Sequence, residues 1–437
     1  MTMLRLAPTL GLLSSLLAAG CFGTEGGNPL DPDAGYSTPD GSPCTEDAAA
    51  AAPVCDRAGT LPAECTCAAE APVPLATAPR GYGMGSSLIG PTASGGFVAL
   101  HGLPCTDDCV GESNTYTLSV HRFDAAGHPA GAPIELTRSA GPWQGVPVDG
   151  AALADGETLA VVFGDTRGLA PRTADLWFAK IDLASGAWIV EPRLAFEAQR
   201  PLLRVHLART AGGFGVVYTD EHGGADPGAY FLRLDDGGSV AAGPVRLTAP
   251  RDPMQVSLAP RGDGFALGRM SGTSALFVAL TADGAEAAPP VTIGTTSGSW
   301  LFGPILRPSG SGYVAGWSDA AGAYLTRLDA SGAATSSPTV IPRALLIDVV
   351  VEVSGVVATS WSPRPCQGAA VGDVFLTRID ASGAPLHPDV IVHHDHMGSQ
   401  TGGVLVDTAD GLRASVTTTL TDQSTTWIVP ACAPLAP

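Results

Sequence analysis

"LTRLDASGA" occupies residues 325–333 and "LTRIDASGA" residues 376–384. Two near-identical phrases 51 positions apart mark an internal repeat, and the repeat decides the fold. Weaker copies stand upstream: "VHRFDAAG" (120–127), "FAKIDLASG" (178–186), "FLRLDDGG" (231–238) and "FVALTADG" (277–284). The slot held by Asp in the phrase runs Asp124, Asp182, Asp235, Thr281, Asp329 and Asp380, with spacings of 58, 53, 46, 48 and 51. A period near 50 belongs to propellers and similar arrays rather than to heptads or short solenoid repeats.

The flanks of each copy also repeat. A Gly-led apolar burst comes before the phrase, as in "GGFGVVYTD" and "SGYVAGWSD", and a Gly turn with a Pro-led strand follows it, as in "PVRLT" and "PTVIP". Another apolar stretch, such as "QVSLAP" or "DVVVEV", opens the next unit. Four short strands joined by tight turns describe a propeller blade. Proline has no N–H to give to a ladder, so a Pro-led strand belongs at a blade's outer edge.

The two ends of the chain complete the count. Six full units run from about residue 85 to 397, and three further strands follow near "GGVLVDTA", "LRASVTTTL" and "STTWIVPAC". The missing fourth strand is at the other end, in "APVPLATA" (71–78). The expected fold is therefore all-β: a seven-bladed β-propeller of four-stranded blades over 71–437, its last blade closed by the N-terminal strand. Closure removes an edge that would otherwise stay unpaired. Within the phrase, residues two apart share a strand face, so Arg327/Asp329, Arg378/Asp380, Arg122/Asp124, Lys180/Asp182 and Arg233/Asp235 are expected to form ion pairs. Exposed pairs of this kind contribute about 0–1 kcal/mol each. The fourth unit has Ala279 and Thr281 instead, as if both partners were lost together.

The opening "MTMLRLAPTLGLLSSLLAAGC" has one basic residue, Arg5, then an apolar run, then small residues ending at Cys21. This is the grammar of an export signal. The segment "LAAGC" (17–21) resembles the lipobox of bacterial lipoproteins, with Ala18 where Leu is more usual. The resemblance implies a signal peptide over 1–20 and lipidation of Cys21, hence a membrane partner through the N-terminal lipid. Phe22, rather than Asp, implies the outer membrane by the enteric sorting rule. Residues 21–43, rich in Gly, Pro, Asp and Ser, read as a flexible tether, and 44–70 as a Cys-containing segment before the propeller.

Eight cysteines remain after Cys21, an even number that suits disulfides in an oxidising compartment. Cys105 and Cys109 form one candidate pair, and Cys65 or Cys67 with Cys432 another. The second would lock the ring across some 365 residues, which the chain-entropy view values at up to about 5 kcal/mol. The formal charge of −19 excludes nucleic acid as a partner, because the phosphate backbone would repel so acidic a chain. Beyond the N-terminus no run reaches the roughly 18 apolar residues of a membrane helix. A monomer is expected.

Enzyme signatures are absent from the sequence: there is no G-x-S-x-G, HExxH, phosphate loop or EF-hand spacing. Two constellations stand out. In "HHDHMG" (393–398), His394 and His396 share a side of an extended chain, a geometry that suits zinc. Arg200 and Arg251 at comparable blade junctions make an anion the alternative ligand at that channel mouth. Acidic loops after the second strands place Asp165, Asp220 and Asp319 in equivalent slots, where calcium is the candidate and a simple turn preference the rival reading. Lipobox and repeat together resemble bacterial envelope lipoproteins with degenerate propeller repeats. The leading expectation is a binding platform for a protein or glycan at the envelope, and the alternative a carbohydrate-active or other hydrolytic enzyme at the channel mouth.

Overall fold

The computed structural model describes residues 72–79, 85–104, 115–140, 150–165, 174–200, 202–220, 228–248, 256–296, 302–319, 321–342, 345–352, 355–363, 372–386, 390–392, 399–419 and 423–431. Strand β1 (Val73–Pro79) precedes blade 1, which is β2 (Gly85–Ile89), β3 (Phe97–Pro104), β4 (Thr115–Phe123) and β5 (Ile134–Ala140). Blade 2 is β6 (Gly150–Asp155), β7 (Thr158–Asp165), β8 (Ala174–Asp182) and β9 (Trp188–Arg200). Blade 3 is β10 (Leu202–Thr210), β11 (Gly213–Asp220), β12 (Gly228–Leu234) and β13 (Val240–Arg246). Blade 4 is β14 (Val256–Arg261), β15 (Gly264–Ser271), β16 (Ser274–Leu280) and β17 (Val291–Thr295). Blade 5 is β18 (Phe302–Ser309), β19 (Gly312–Asp319), β20 (Gly322–Leu328) and β21 (Thr339–Pro342). Blade 6 is β22 (Leu345–Val351), β23 (Gly355–Pro363), β24 (Gly372–Asp380) and β25 (Val390–Ile391). Blade 7 is β26 (Ser399–Thr408), β27 (Gly411–Thr419) and β28 (Gln423–Pro430), completed by β1.

Every described sheet is a four-stranded antiparallel meander, and the expected closure is present. β1 pairs antiparallel with β28, from Val73 opposite Ile428 to Pro79 opposite Gln423. The first strands of neighbouring blades pack together around the ring, including β2 against both β6 and β26. Apolar burial follows the same ring: each of seven clusters joins two adjacent blades rather than filling one centre. The seam between blades 7 and 1 is one of them, with Val406 and Ile428 against Leu88, Phe97 and Phe123. A lone blade could not bury its faces, so each needs both neighbours.

The repeated phrase is the third strand and the turn after it. Asp329 Oδ1 accepts hydrogen bonds from Ser331 N (2.8 Å), Ser331 Oγ (2.6 Å) and Ala333 N (3.0 Å). Asp380 repeats this with Ser382 N (2.8 Å), Ser382 Oγ (2.7 Å) and Ala384 N (2.9 Å). These donors, the serine hydroxyl first, hold both carboxyls below the ordinary Asp range. Thr281 Oγ1 performs the same capping for Ala285 N at 3.2 Å, so the fourth unit kept the turn when it lost the acid.

The ion pairs expected within the phrase do not form. The basic residue leaves its own Asp to the turn and reaches elsewhere. Arg122 Nη1 donates to Leu183 O (2.8 Å) in blade 2, and Arg233 Nη1 to Asp283 Oδ1 (3.1 Å) in blade 4. Arg378 Nη2 binds Glu352 Oε2 (2.5 Å) at the first hairpin of its own blade. At the closing seam Arg413 Nη2 donates to Ala125 O (3.3 Å), joining blade 7 to blade 1. A backbone turn offers the Asp several donors at fixed distance, whereas a paired arginine would cost side-chain entropy.

Glycine closes the turn for a second reason, which explains the period of the repeat. Gly332 has φ +88°, and a Cβ there would sink into the ring of Phe277, the first residue of the preceding copy. Gly238 and Gly284 stand in the same way on Phe178 and Phe231. Three copies therefore dock their turn glycine onto the first residue of the copy before, and full burial of such a ring contributes roughly 1.5–3 kcal/mol.

Candidate functional site

The innermost strands line the axis of the ring, and their registers set side chains at matching heights. His206 lies opposite Val217, four residues before the β10–β11 hairpin closes at Thr210 and Gly213. The same count back from Arg261 opposite Gly264 in blade 4 gives Ser257, and from Ser309 opposite Gly312 in blade 5 gives Ile305. In blade 6, where Glu352 N bonds Gly355 O, it gives Asp348. Bulges early in β10, β18, β22 and β26 break the ring's symmetry near this height. Each bulge re-aims the side chains beside it.

Three blades are joined here through one carboxylate. Arg307 Nη2 donates to Asp348 Oδ1 (2.5 Å), and Arg307 Nε donates to Val349 O (3.2 Å). Asp348 Oδ2 accepts Leu405 N (3.0 Å) from β26. The Asp348 side chain is 5% exposed and that of Arg307 is 42% exposed, so the carboxylate is structural while the arginine keeps open surface. In blade 4, Ser257 Oγ is occupied by Pro304 O (2.6 Å) and Leu306 N (3.1 Å), which fixes blade 5 against blade 4.

Arg204 and His206 lie two apart on β10 and so share a face. Burial first, then the charges of Arg204 and Arg307, push His206 down to about 3, so its imidazole is neutral at ordinary pH. Its Nε2 is buried without a hydrogen-bond partner. Blades 3 and 5 thus contribute a neutral imidazole and the two guanidinium charges that act on it.

The residues singled out in the sequence fare differently. Asp165 is fully buried at the end of β7, opposite Asp175, and accepts Thr137 Oγ1 (2.6 Å) from blade 1. Asp319 is 2% exposed and accepts Ala321 N (2.8 Å) and Tyr324 OH (3.2 Å). Burial and then Asp319's charge raise the Tyr324 phenol, which keeps it a donor. Asp220 ends β11 opposite Gly228, and Arg200 ends β9 opposite Ala174. The three aspartates belong to three different blades and do not meet. Cys21, Cys65, Cys67, Cys105, Cys109, Arg251, His394, His396 and Cys432 lie outside the described residues. Among the described residues no three His, Cys, Asp or Glu side chains converge as a zinc or calcium site would need. Arg204, His206 and Arg307 were missed by sequence reasoning. The signal for the first two was polar residues two apart, "RVH" at 204–206, inside an otherwise apolar inner strand.

No protein-family model matches this chain, and no curated protein matches its sequence. Solved structures are similar in fold. One is the acylaminoacyl peptidase of Pyrococcus horikoshii, at 11% identity over 80% of this chain and 52% of that chain, with TM-score 0.46. Another is the β-propeller domain of the Trilobed protease from Pyrococcus furiosus, at 9% identity over 78% of this chain and 95% of that one, with TM-score 0.44. A third is the alpha-L-arabinanase of Penicillium chrysogenum, at 14% identity over 58% and 79%, with TM-score 0.41. Such distant likenesses carry nothing about what this chain binds.

Proposed function

We propose that this chain is a lipid-anchored binding platform of the bacterial envelope, which takes its ligand at the end of the propeller where the second and third strands of each blade connect. The observation that supports this reading is the division of labour between the two ends. At one end the turns after the third strands reuse the same Asp, Ser and Gly geometry. From the other end leave the connections 105–114, 166–173, 221–227 and 364–371, which share no common sequence and vary in length. Unrepeated loops on a rigid scaffold are where propellers and other superfolds carry recognition. The lipobox-like "LAAGC" and the tether after it supply the anchor and the reach.

An enzyme built on the buried Asp165 and Asp175 fits less well. Asp165 has no exposed surface, and a catalytic carboxylate must reach its substrate. Two measurements test the platform in intact cells. Cys21→Ser is expected to release the protein from the membrane fraction; an unchanged distribution overturns the anchor. A photo-crosslinker at Thr273, in the hairpin between β15 and β16, is expected to capture envelope material that one at Ala330, in the opposite turn, does not. Equal capture from both positions overturns the choice of end.

A further inference from the structure

We propose that the seam between blades 5 and 6 holds a site for one neutral sugar residue, set between Arg327 and Asp380 over an apolar floor. At three other seams the same place is filled from within. Gly238, Gly284 and Gly332 close on the rings of Phe178, Phe231 and Phe277, each ring four residues before the Asp slot of its repeat. Between blades 1 and 2 that position is Val120, and the guanidinium of Arg122 stands against Gly186 instead, its Cζ 3.0 Å from where a Cβ would be. Between blades 5 and 6 the position is Leu325, and neither filler is present. A Cβ at Gly383 would meet Thr339 Oγ1 at 2.9 Å and no atom of Leu325 within 4 Å. Arg327, the counterpart of Arg122, turns back to Ser309 Oγ of its own blade, 3.4 Å away.

A cleft of about 290 Å³, its open mouth included, is left at this seam. Its floor is Val314, Leu325, Val356 and Ile379, all buried. Two hydroxyls of the rim are spent on the protein: Thr326 Oγ1 donates to Ser336 O (2.9 Å), and Thr339 Oγ1 to Gly383 O (2.5 Å) across the two blades. The groups left to a ligand are charged. Among the described residues the Arg327 guanidinium has Ser309 alone, and Asp380 spends Oδ1 on its turn while Oδ2 stays open. Both line the one cleft. An anion there would gain on Arg327 and lose on Asp380, and a cation the reverse. A zwitterion would match both but give up the hydration of two full charges beside an apolar floor. Sugar hydroxyls accept from a guanidinium and donate to a carboxylate, while ring C–H groups cover the floor. The cleft falls short of the roughly 300–1,000 Å³ that encloses a whole small molecule, so it takes a single residue by its edge. This site goes beyond the platform reading and lies at the repeated end, where one copy departs from the others. Ala330 leans away from it onto blade 4, its carbonyl accepting Arg261 Nε (3.2 Å).

The test is saturation-transfer NMR titration of the full chain at pH 7, in a detergent without a sugar headgroup. The probes are the methyl glycosides of glucose, galactose and mannose, with L-alanine as the zwitterionic control. At least one glycoside is expected to bind and L-alanine not to. Leu325→Phe restores the ring of the other repeats, so it should abolish binding and raise the melting temperature by about 2 °C. Arg327→Gln should weaken binding about tenfold and melt as the wild type does, because its guanidinium holds no blade to its neighbour. Absence of binding for every glycoside overturns the proposal, as does binding of L-alanine alone. Unchanged affinity in Arg327→Gln overturns it too, and a lower melting temperature in Leu325→Phe would mean that the slot is already full. Capture from Thr273 reports on the opposite end and is expected to persist in both variants.

Discussion

At one end of the ring, the turn after β20 holds Asp329, Ser331 and Gly332 in a geometry that the turn after β24 reproduces with Asp380, Ser382 and Gly383. At the other end, connections between second and third strands run from two residues at 272–273 to ten at 105–114. The same strands serve both ends, so the contrast reflects what each end must do. Gly238, Gly284 and Gly332 each dock on the blade before, and a change there is felt in that blade. The connections at the other end differ in sequence and vary in length. Sameness here marks load on the fold, and difference marks the surface left for recognition.

Insertions separate the two ends most sharply. Lengthening the turn by three residues between Ser331 and Gly332 displaces the glycine from Phe277, and Gly332→Val forces a branched side chain into that ring at φ +88°. Backbone strain and overpacking together should cost about 4 kcal/mol, read from chemical denaturation. The same insertion between Gly168 and Leu169 should cost under about 1 kcal/mol, since loop entropy grows slowly with length. Equal costs would end the contrast.

Acid provides the next test. Burial holds His121 down to about 4, and its Nε2 has no partner. The unfolded imidazole takes up its proton near 6.5, so between about 6.5 and 4 the unfolded state binds more protons and stability falls as pH falls. His121 alone should account for on the order of 3 kcal/mol across that window. His121→Gln should flatten the melting-temperature profile there, and a parallel profile would contradict the burial.

The link between blades 5, 6 and 7 is smaller. Asp348→Ala strands Arg307 and the Leu405 N–H, which should cost roughly 2–3 kcal/mol in denaturation. Asp329→Ala gives the smallest effect, a slight fall in melting temperature. The Asp329 carboxyl is held below its ordinary range, so its contribution is present above the unfolded pKa. The gap between wild type and variant should close as pH falls through the folded value. A gap that persists at the lowest pH would mean that the carboxylate is not what holds the turn.

Much of this was legible in the chain. The period near 50, the Gly-led second strand and the Pro-led fourth strand all follow from local chemistry, and counting strands at the two termini gave the closure by β1. The Arg–Asp pairs were misjudged, because alternation on a strand says that two side chains share a face and not which partner is nearer. Arg122 and Arg233 found theirs in the next blade, 61 and 50 residues away. The channel residues were harder still. Arg204 and Arg307 lie in different repeats at non-equivalent slots, so no internal alignment brings them together. Bulges in β10 and β18 shift them off the ideal register.

The sequence by itself therefore determined the blade, its number and the way the ring closes, because these depend on contacts between neighbouring repeats and on turns a few residues long. Only the tertiary structure decided that Asp329 serves its turn while arginines bind across blades. It alone brought His206 under the charges of Arg204 and Arg307. Those meetings depend on which side chain reaches which neighbour in the folded ring, and strand alternation says only which side chains share a face.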